Sequence, residues 1–233
     1  MKSLTSLLLI SLLLSIGTML NAQNCEDFFP QKEGTTLTYK NYDKKDKVTG
    51  TSVMAFKDKQ QTNSGMSVVF ASTFSDDKGE KIYESEVQVE CRDGVLYFDA
   101  SKILDPATMS SYETMEVEVT GDNLELPLKG EAGTELEDGG VTAVVRSGGI
   151  KIITVSVSLS NRKIAAQETI ETPAGSFNCI KYTYDALSQM GFIKVNMSSI
   201  EWYSADYGTI RSESYNKNGK LMSYTLLESV SGQ

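Results

Sequence analysis

The sequence contains no histidine. Every mechanism that needs an imidazole goes with it: Ser-His-Asp and Cys-His nucleophile pairs, and His-ligated zinc or haem. Cysteine is scarce, with three residues, Cys25, Cys91 and Cys179. They are far apart and form no CxxC, so no zinc-binding spacing is present. Proline occurs 4 times and tryptophan once. Positive charge is in deficit, with 22 Lys plus Arg against 31 Asp plus Glu, a net charge of −9. A nucleic-acid partner calls for a basic footprint that this balance does not supply. The same balance argues against an anionic membrane surface. There is no GxSxG, no SxxK and no Walker loop.

What is present is an ordinary globular composition, with 40% hydrophobic and 23% charged residues in 233. Lys2 gives a positive start, Leu7 to Leu14 form an apolar run, and Leu20-Asn21-Ala22 precedes Gln23. A basic start, a short apolar region and a small residue at the cut define an export signal. The expected organisation is a cleaved signal over 1–22 and a single β domain over 23–233. The apolar stretch is too short and too Ser-interrupted for a permanent span, and no other segment of the processed chain would cross a membrane. Lipidation at Cys25 calls for a small residue before it, and Asn24 is a poor fit. Export places the cysteines in an oxidising compartment, where two of Cys25, Cys91 and Cys179 can pair. Sequence does not choose among the three pairings, and three small buried thiols are the alternative.

Runs of β-branched and aromatic residues alternate with turn signals along the processed chain. Strands are expected over Thr35–Tyr42, Thr49–Phe56, Met66–Phe74, Lys81–Cys91, Val95–Asp99 and Met115–Val119. The clearest carries Ile153, Val155, Val157 and Leu159 on one face, with Thr154, Ser156, Ser158 and Ser160 on the other. Further strands are expected over Arg162–Thr172, Ser176–Asp185, Phe192–Ser204, Thr209–Tyr215 and Lys220–Val230. Asp93-Gly94, Pro173-Ala174-Gly175 and Asn218-Gly219 mark turns. Asp105 and Pro106 suit the start of one short helix. Gly130 to Gly149, rich in glycine and acid, reads as a loop or a pair of short strands. The fold class is mainly β: a single antiparallel curved sheet, a half-barrel or barrel, with at most one or two short helices.

Candidate chemistry is thin. Asp76-Asp77, Glu116/Glu118 and Glu135/Glu137 are paired acids, but glycosidase carboxylates face each other across a cleft and come from separate elements. Solvated faces and turns account for them better. Asp43 and Asp46 lack the spaced-acid loop of a calcium site and read as a hairpin tip. No catalytic residue, metal ligand or cofactor-binding residue is expected. Aromatic residues carry more information. Trp202, Tyr203, Tyr207, Tyr215 and Tyr224 cluster near the C-terminus. Trp202 and Tyr203 are adjacent in a strand and must face opposite sides of the sheet, one into the core and the other free to be exposed. Trp202, Tyr203, Phe70 and Phe74 are the candidates to line an apolar ligand pocket, and adaptable methionines such as Met54 and Met66 suit an irregular cavity. Glu201, Arg211 and Glu213 flank the Ala205 to Gly208 turn, where opposite charges paired across the hairpin would fix its register.

Three segments carry a family resemblance: Phe29-Pro30-Gln31-Lys32-Glu33-Gly34-Thr35, Thr169 to Cys179 around Thr172-Pro173-Ala174-Gly175, and Glu201-Trp202-Tyr203 through Tyr207-Gly208 to Glu213. Together they resemble the TapB-like family of exported bacterial proteins, part of a group of domains of unknown function. The resemblance spans nearly all of the processed chain and leaves the Gly130 to Gly149 stretch unmatched. It implies a curved antiparallel sheet similar in outline to periplasmic lipoprotein carriers, whose sheets enclose an apolar cavity, and it implies no catalytic residues. The combined expectation is an exported, monomeric, non-catalytic protein of the periplasm or outer envelope. It would bind or carry a lipid-like or other apolar small molecule. The alternative is a module that meets another envelope protein through a sheet face or edge. A carboxylate-dependent hydrolase is the remote third.

Overall fold

The computed structural model describes residues 25, 29–30, 32–63, 65–99, 112 and 114–232. The export segment expected at 1–22 and the short helix expected from Asp105 lie outside them. The strands are β1 (Thr36–Asp43), β2 (Val48–Thr62), β3 (Gly65–Asp76), β4 (Lys81–Arg92), β5 (Val95–Asp99), β6 (Glu116–Gly121) and β7 (Asn123–Pro127). They continue with β8 (Gly139–Ser147), β9 (Ile150–Thr172), β10 (Gly175–Met190), β11 (Ile193–Ser204), β12 (Gly208–Asn216) and β13 (Leu221–Ser231). All belong to one 13-stranded antiparallel sheet in the order β6-β8-β9-β10-β11-β12-β13-β1-β2-β3-β4-β5-β7. The expected mainly-β, curved-sheet class is what the chain forms. Of the Gly130 to Gly149 stretch, Gly139–Ser147 is the strand β8 and Glu135 makes a single bridge to Lys163.

The two edge strands, β6 and β7, are consecutive in the chain with Asp122 between them. The chain leaves one edge of the sheet and at once pairs with the other, so the sheet must curl until its edges approach. The Asp122 amide donates to the Gly140 carbonyl at 3.2 Å, and Leu124 of β7 packs with Val141, Ala143 and Val155 of β8 and β9. Among the described residues, no strand pair closes the seam. Glycine is required there: a Cβ on Gly121 would stand 2.7 Å from the Gly140 oxygen, and one on Gly140 2.6 Å from the Val157 oxygen.

The concave face holds the main core: Phe56, Met66, Val68, Phe70, Val89, Leu96, Ile164, Tyr182 and Tyr203, joined by Phe29. Cys25 and Cys91 form a disulfide with Cα atoms 5.8 Å apart, and Cys179 is free and buried. Of the three pairings that sequence left open, Cys25–Cys91 is the one present. The bridge closes a span of 66 residues and ties Cys25 to the end of β4, worth roughly 4 kcal/mol through restriction of the unfolded chain.

The long strand β9 keeps its apolar alternation only to Leu159. Asn161 takes a left-handed φ of 53°, and the β9–β10 register slips between Thr183 and Asp185. This is a bulge. The extra residue reverses the parity, so that Arg162 and Ile164, rather than Asn161 and Lys163, are buried.

Candidate functional site

The curl leaves two adjoining apolar hollows on the concave side. The first, of about 320 Å³, lies among Phe29, Leu37, Tyr39, Met54, Phe70 and Val89. The second, of about 300 Å³, lies among Leu124, Leu126, Leu136, Leu159, Tyr182 and Tyr184. Val87, Phe98, Tyr203 and Thr209 line both, so the two are parts of one interior space. Strand alternation explains its walls: Val87 and Val89 of β4 and Phe70 of β3 are inward positions on neighbouring strands, with Phe70 paired to Val87.

The polar groups of this space lie at its two ends. In the first hollow the Asn41 amide donates to Ser52 Oγ at 3.1 Å and Thr225 Oγ1 donates to Asn41 Oδ1 at 2.7 Å, so those groups largely satisfy one another. In the second, the Tyr184 hydroxyl donates to Glu201 Oε1 at 2.7 Å. Burial pushes the Glu201 carboxyl above the usual range, while the Tyr184 hydrogen bond and the charge of Arg162 act the other way. Burial also raises the Tyr39, Tyr182, Tyr184 and Tyr203 hydroxyls, which therefore stay neutral. Arg162, aimed inward by the bulge, donates to the carbonyls of Glu137 and, at 2.6 Å, Glu125. The Tyr182 hydroxyl donates to the Pro127 carbonyl. The bonds to Glu125 and Pro127 tie β7 to β9 and β10 across the seam, and the bond to Glu137 holds the segment before β8 against β9. Glu201 is the one acid among the residues that line the two hollows.

Of the expected pocket residues, the structure brings Tyr203 and Phe70 into the lining. It places Phe74 further along the same face of β3, stacked on Tyr83 at 5.5 Å and pressed against Gly50, where a Cβ would meet its ring at 2.7 Å. Trp202 belongs instead to a second buried cluster, with Cys179, Ile210 and Leu227. There its indole N–H donates to Glu168, and Lys181 Nζ and the Arg211 guanidinium stand 4.9 and 5.5 Å from its ring. The two adjacent aromatics lie in different core clusters and both are buried: Trp202 has charged side chains over its ring and is not exposed. The expected cross-hairpin pairing of Glu201 with Arg211 does not form. Arg211 bonds Glu213 in its own strand at 2.8 Å, because residues two apart share a face, while Glu201 points to the concave side. Several of the acids considered for chemistry serve turns and ion pairs. Asp43 accepts the Lys45 and Lys47 amides, Asp76 those of Lys78 and Glu80, and Glu118 pairs with Arg146.

Sequence reasoning missed Arg162, Tyr182 and Tyr184. Their signal was weak but present. Asn161 is the residue type that tolerates a left-handed turn, and the apolar alternation changes phase between Leu159 and Ile164.

A model of the DUF3108-like family matches residues 32–227. Two solved structures share the fold. One is a Bacteroides fragilis protein described as exported and of YmcC-like fold, with 26% identity, a TM-score of 0.72 and coverage of 88% of this chain and 98% of that one. The other is a Parabacteroides distasonis protein described as a lipoprotein, with 25% identity, a TM-score of 0.72 and the same coverage. No curated protein matches the chain.

Proposed function

This chain belongs to the DUF3108-like family, and we propose that it is an exported, non-catalytic protein that holds or carries an apolar, lipid-like molecule in the hollow of its sheet. One observation carries the reading: two adjoining hollows of about 320 and 300 Å³ share Val87, Phe98, Tyr203 and Thr209. Each is at the lower end of the range for small-molecule sites, roughly 300–1,000 Å³. Their walls are aliphatic and aromatic. The neutral tyrosines and the Glu201–Tyr184 pair offer hydrogen bonds at the far end, which suits a ligand with an apolar body and an uncharged polar end. The narrower placement among TapB-like proteins, and residence in the periplasm or outer envelope, belong to this proposal. Descriptions of the two similar structures as exported and as a lipoprotein support the envelope setting. The competing role, an envelope protein-interaction module, would draw on apolar side chains exposed at one end of the sheet rather than on the hollow.

The test is a titration with the neutral apolar dye N-phenyl-1-naphthylamine. The wild type should bind it saturably with enhanced fluorescence. Val87→Trp, which fills the junction of the hollows, should abolish that signal, and Thr209→Phe should weaken it. A folded Val87→Trp or Thr209→Phe protein that binds the dye as well as the wild type overturns the reading.

A further inference from the structure

A second feature lies at one end of the sheet, away from the hollow. The β8–β9, β10–β11 and β12–β13 hairpins all turn at the same end. The first two are in contact, with the Gly191 amide donating to the Thr154 carbonyl at 3.0 Å. β12 pairs with β11 only from Met197 onward, so Ile193 to Asn196 project past the neighbouring hairpin with Phe192 at the apex. Phe192 is fully exposed at 104%, Ile150 is 70% exposed, Ile193 61% and Ile152 53%. Val195 and Met222 add to the exposed apolar surface. Most exposed apolar residues are scattered singly; these are gathered on adjoining hairpin tips.

The charge at this end departs from the rest of the chain. Residues 147–160, 186–200 and 214–223 contain four charged side chains, all lysine: Lys151, Lys194, Lys217 and Lys220. All four are exposed. None forms an ion pair among the described residues. In a chain of net charge −9, this is a local excess of positive charge around an apolar tip. Exposed charges act over about one Debye length, roughly 8 Å at physiological salt. The β1–β2 hairpin turns beside the β12–β13 tip and brings Asp43 and Asp46 there, but with Lys44, Lys45 and Lys47 in the same turn the lysines remain in excess.

We propose that this tip docks on an anionic lipid surface, with Phe192, Ile193 and Ile150 entering the headgroup region and the four lysines held above it. Apolar side chains that dip into the interface, flanked by cations that meet lipid phosphates, are the two terms that together give reversible membrane attachment. The overall acidity that argued against a membrane partner holds for the molecule as a whole and not for this end. The inference does not depend on what the hollow contains.

The test is co-sedimentation of the full chain, in the form its host exports, with phosphatidylglycerol-rich vesicles and with pure phosphatidylcholine vesicles. Phe192→Trp adds a reporter to a background of one buried indole, Trp202. Its emission should shift to the blue on anionic vesicles and not on zwitterionic ones. Phe192→Ser with Ile193→Ser should weaken anionic-vesicle binding about tenfold or more, and Lys151→Glu with Lys194→Glu should do so in a salt-sensitive way. These side chains are exposed, so the melting transition should be unchanged. No blue shift, or undiminished binding by the double serine variant, overturns the proposal. So does sedimentation as a dimer that the double serine variant converts to a monomer, without vesicle binding.

Discussion

Glu201 is a carboxyl placed where a charge is costly, and its surroundings make stability depend on pH in a definite direction. Burial raises its folded-state pKa above the unfolded value, with the Tyr184 hydrogen bond and Arg162 opposing. Its protonated form is therefore favoured in the folded state. The stabilisation is complete below the unfolded carboxyl pKa and is lost as pH rises through the raised folded value. Asp43, Asp77, Glu84 and Glu168 are shifted downward by hydrogen bonds and lysines. They act in the opposite sense, so the difference between two proteins isolates Glu201. Glu201→Gln keeps an acceptor for the Tyr184 hydroxyl and removes the ionisation. Urea unfolding from pH 4 to pH 8 should show wild type losing stability relative to Glu201→Gln across that window. A constant difference between the two would contradict the burial of this carboxyl. Cys179 shows the same physics in a neutral setting. Burial pushes its thiol up to about 11, consistent with a packed side chain and not a reactive one.

At the scale of elements, the decisive feature is the seam between β7 and the β8–β9 hairpin. No ladder closes it among the described residues. The Arg162 guanidinium and the Tyr182 hydroxyl bridge it by donating to the carbonyls of Glu125 and Pro127, and Arg162 also holds the Glu137 carbonyl on its own side. Arg162→Met keeps much of the aliphatic bulk and leaves two carbonyls without their charged donor. Hydrogen bonds to a charged group contribute about 1.5–3 kcal/mol each, so the loss should be about 3 kcal/mol in denaturant unfolding. Hydrogen exchange at the Leu124 and Leu126 amides should quicken selectively. Unchanged stability and unchanged exchange would show that the seam is held by apolar packing alone. Most strands could be read in advance because period-two alternation and Asp-Gly or Asn-Gly turns are local signals. The bulge at Asn161 was harder to read. It needs one extra residue whose effect appears only in the partner strand, and it decides whether Arg162 points into the hollow or out to solvent.

For the whole molecule, the sequence announced a curved sheet but not how far it curls. Curvature here depends on two edge strands being consecutive in the chain and on glycines at positions 121 and 140, which let backbones approach. Neither the strand order nor that approach can be read from alternation alone. The same limit explains the aromatics. Tyr203 and Phe70 reach the hollow, while Trp202, one residue from Tyr203, packs in a second buried cluster beside Lys181 and Arg211. Parity said that the two must part but not which side would be concave. The central claim is that the concave side holds an apolar molecule. Native mass spectrometry of the protein recovered from its own host's envelope fraction, before and after organic extraction, tests it most directly. An added mass that leaves on extraction and is absent from Val87→Trp is expected. A bare protein mass in the wild type, from a preparation never exposed to detergent or solvent, would contradict it.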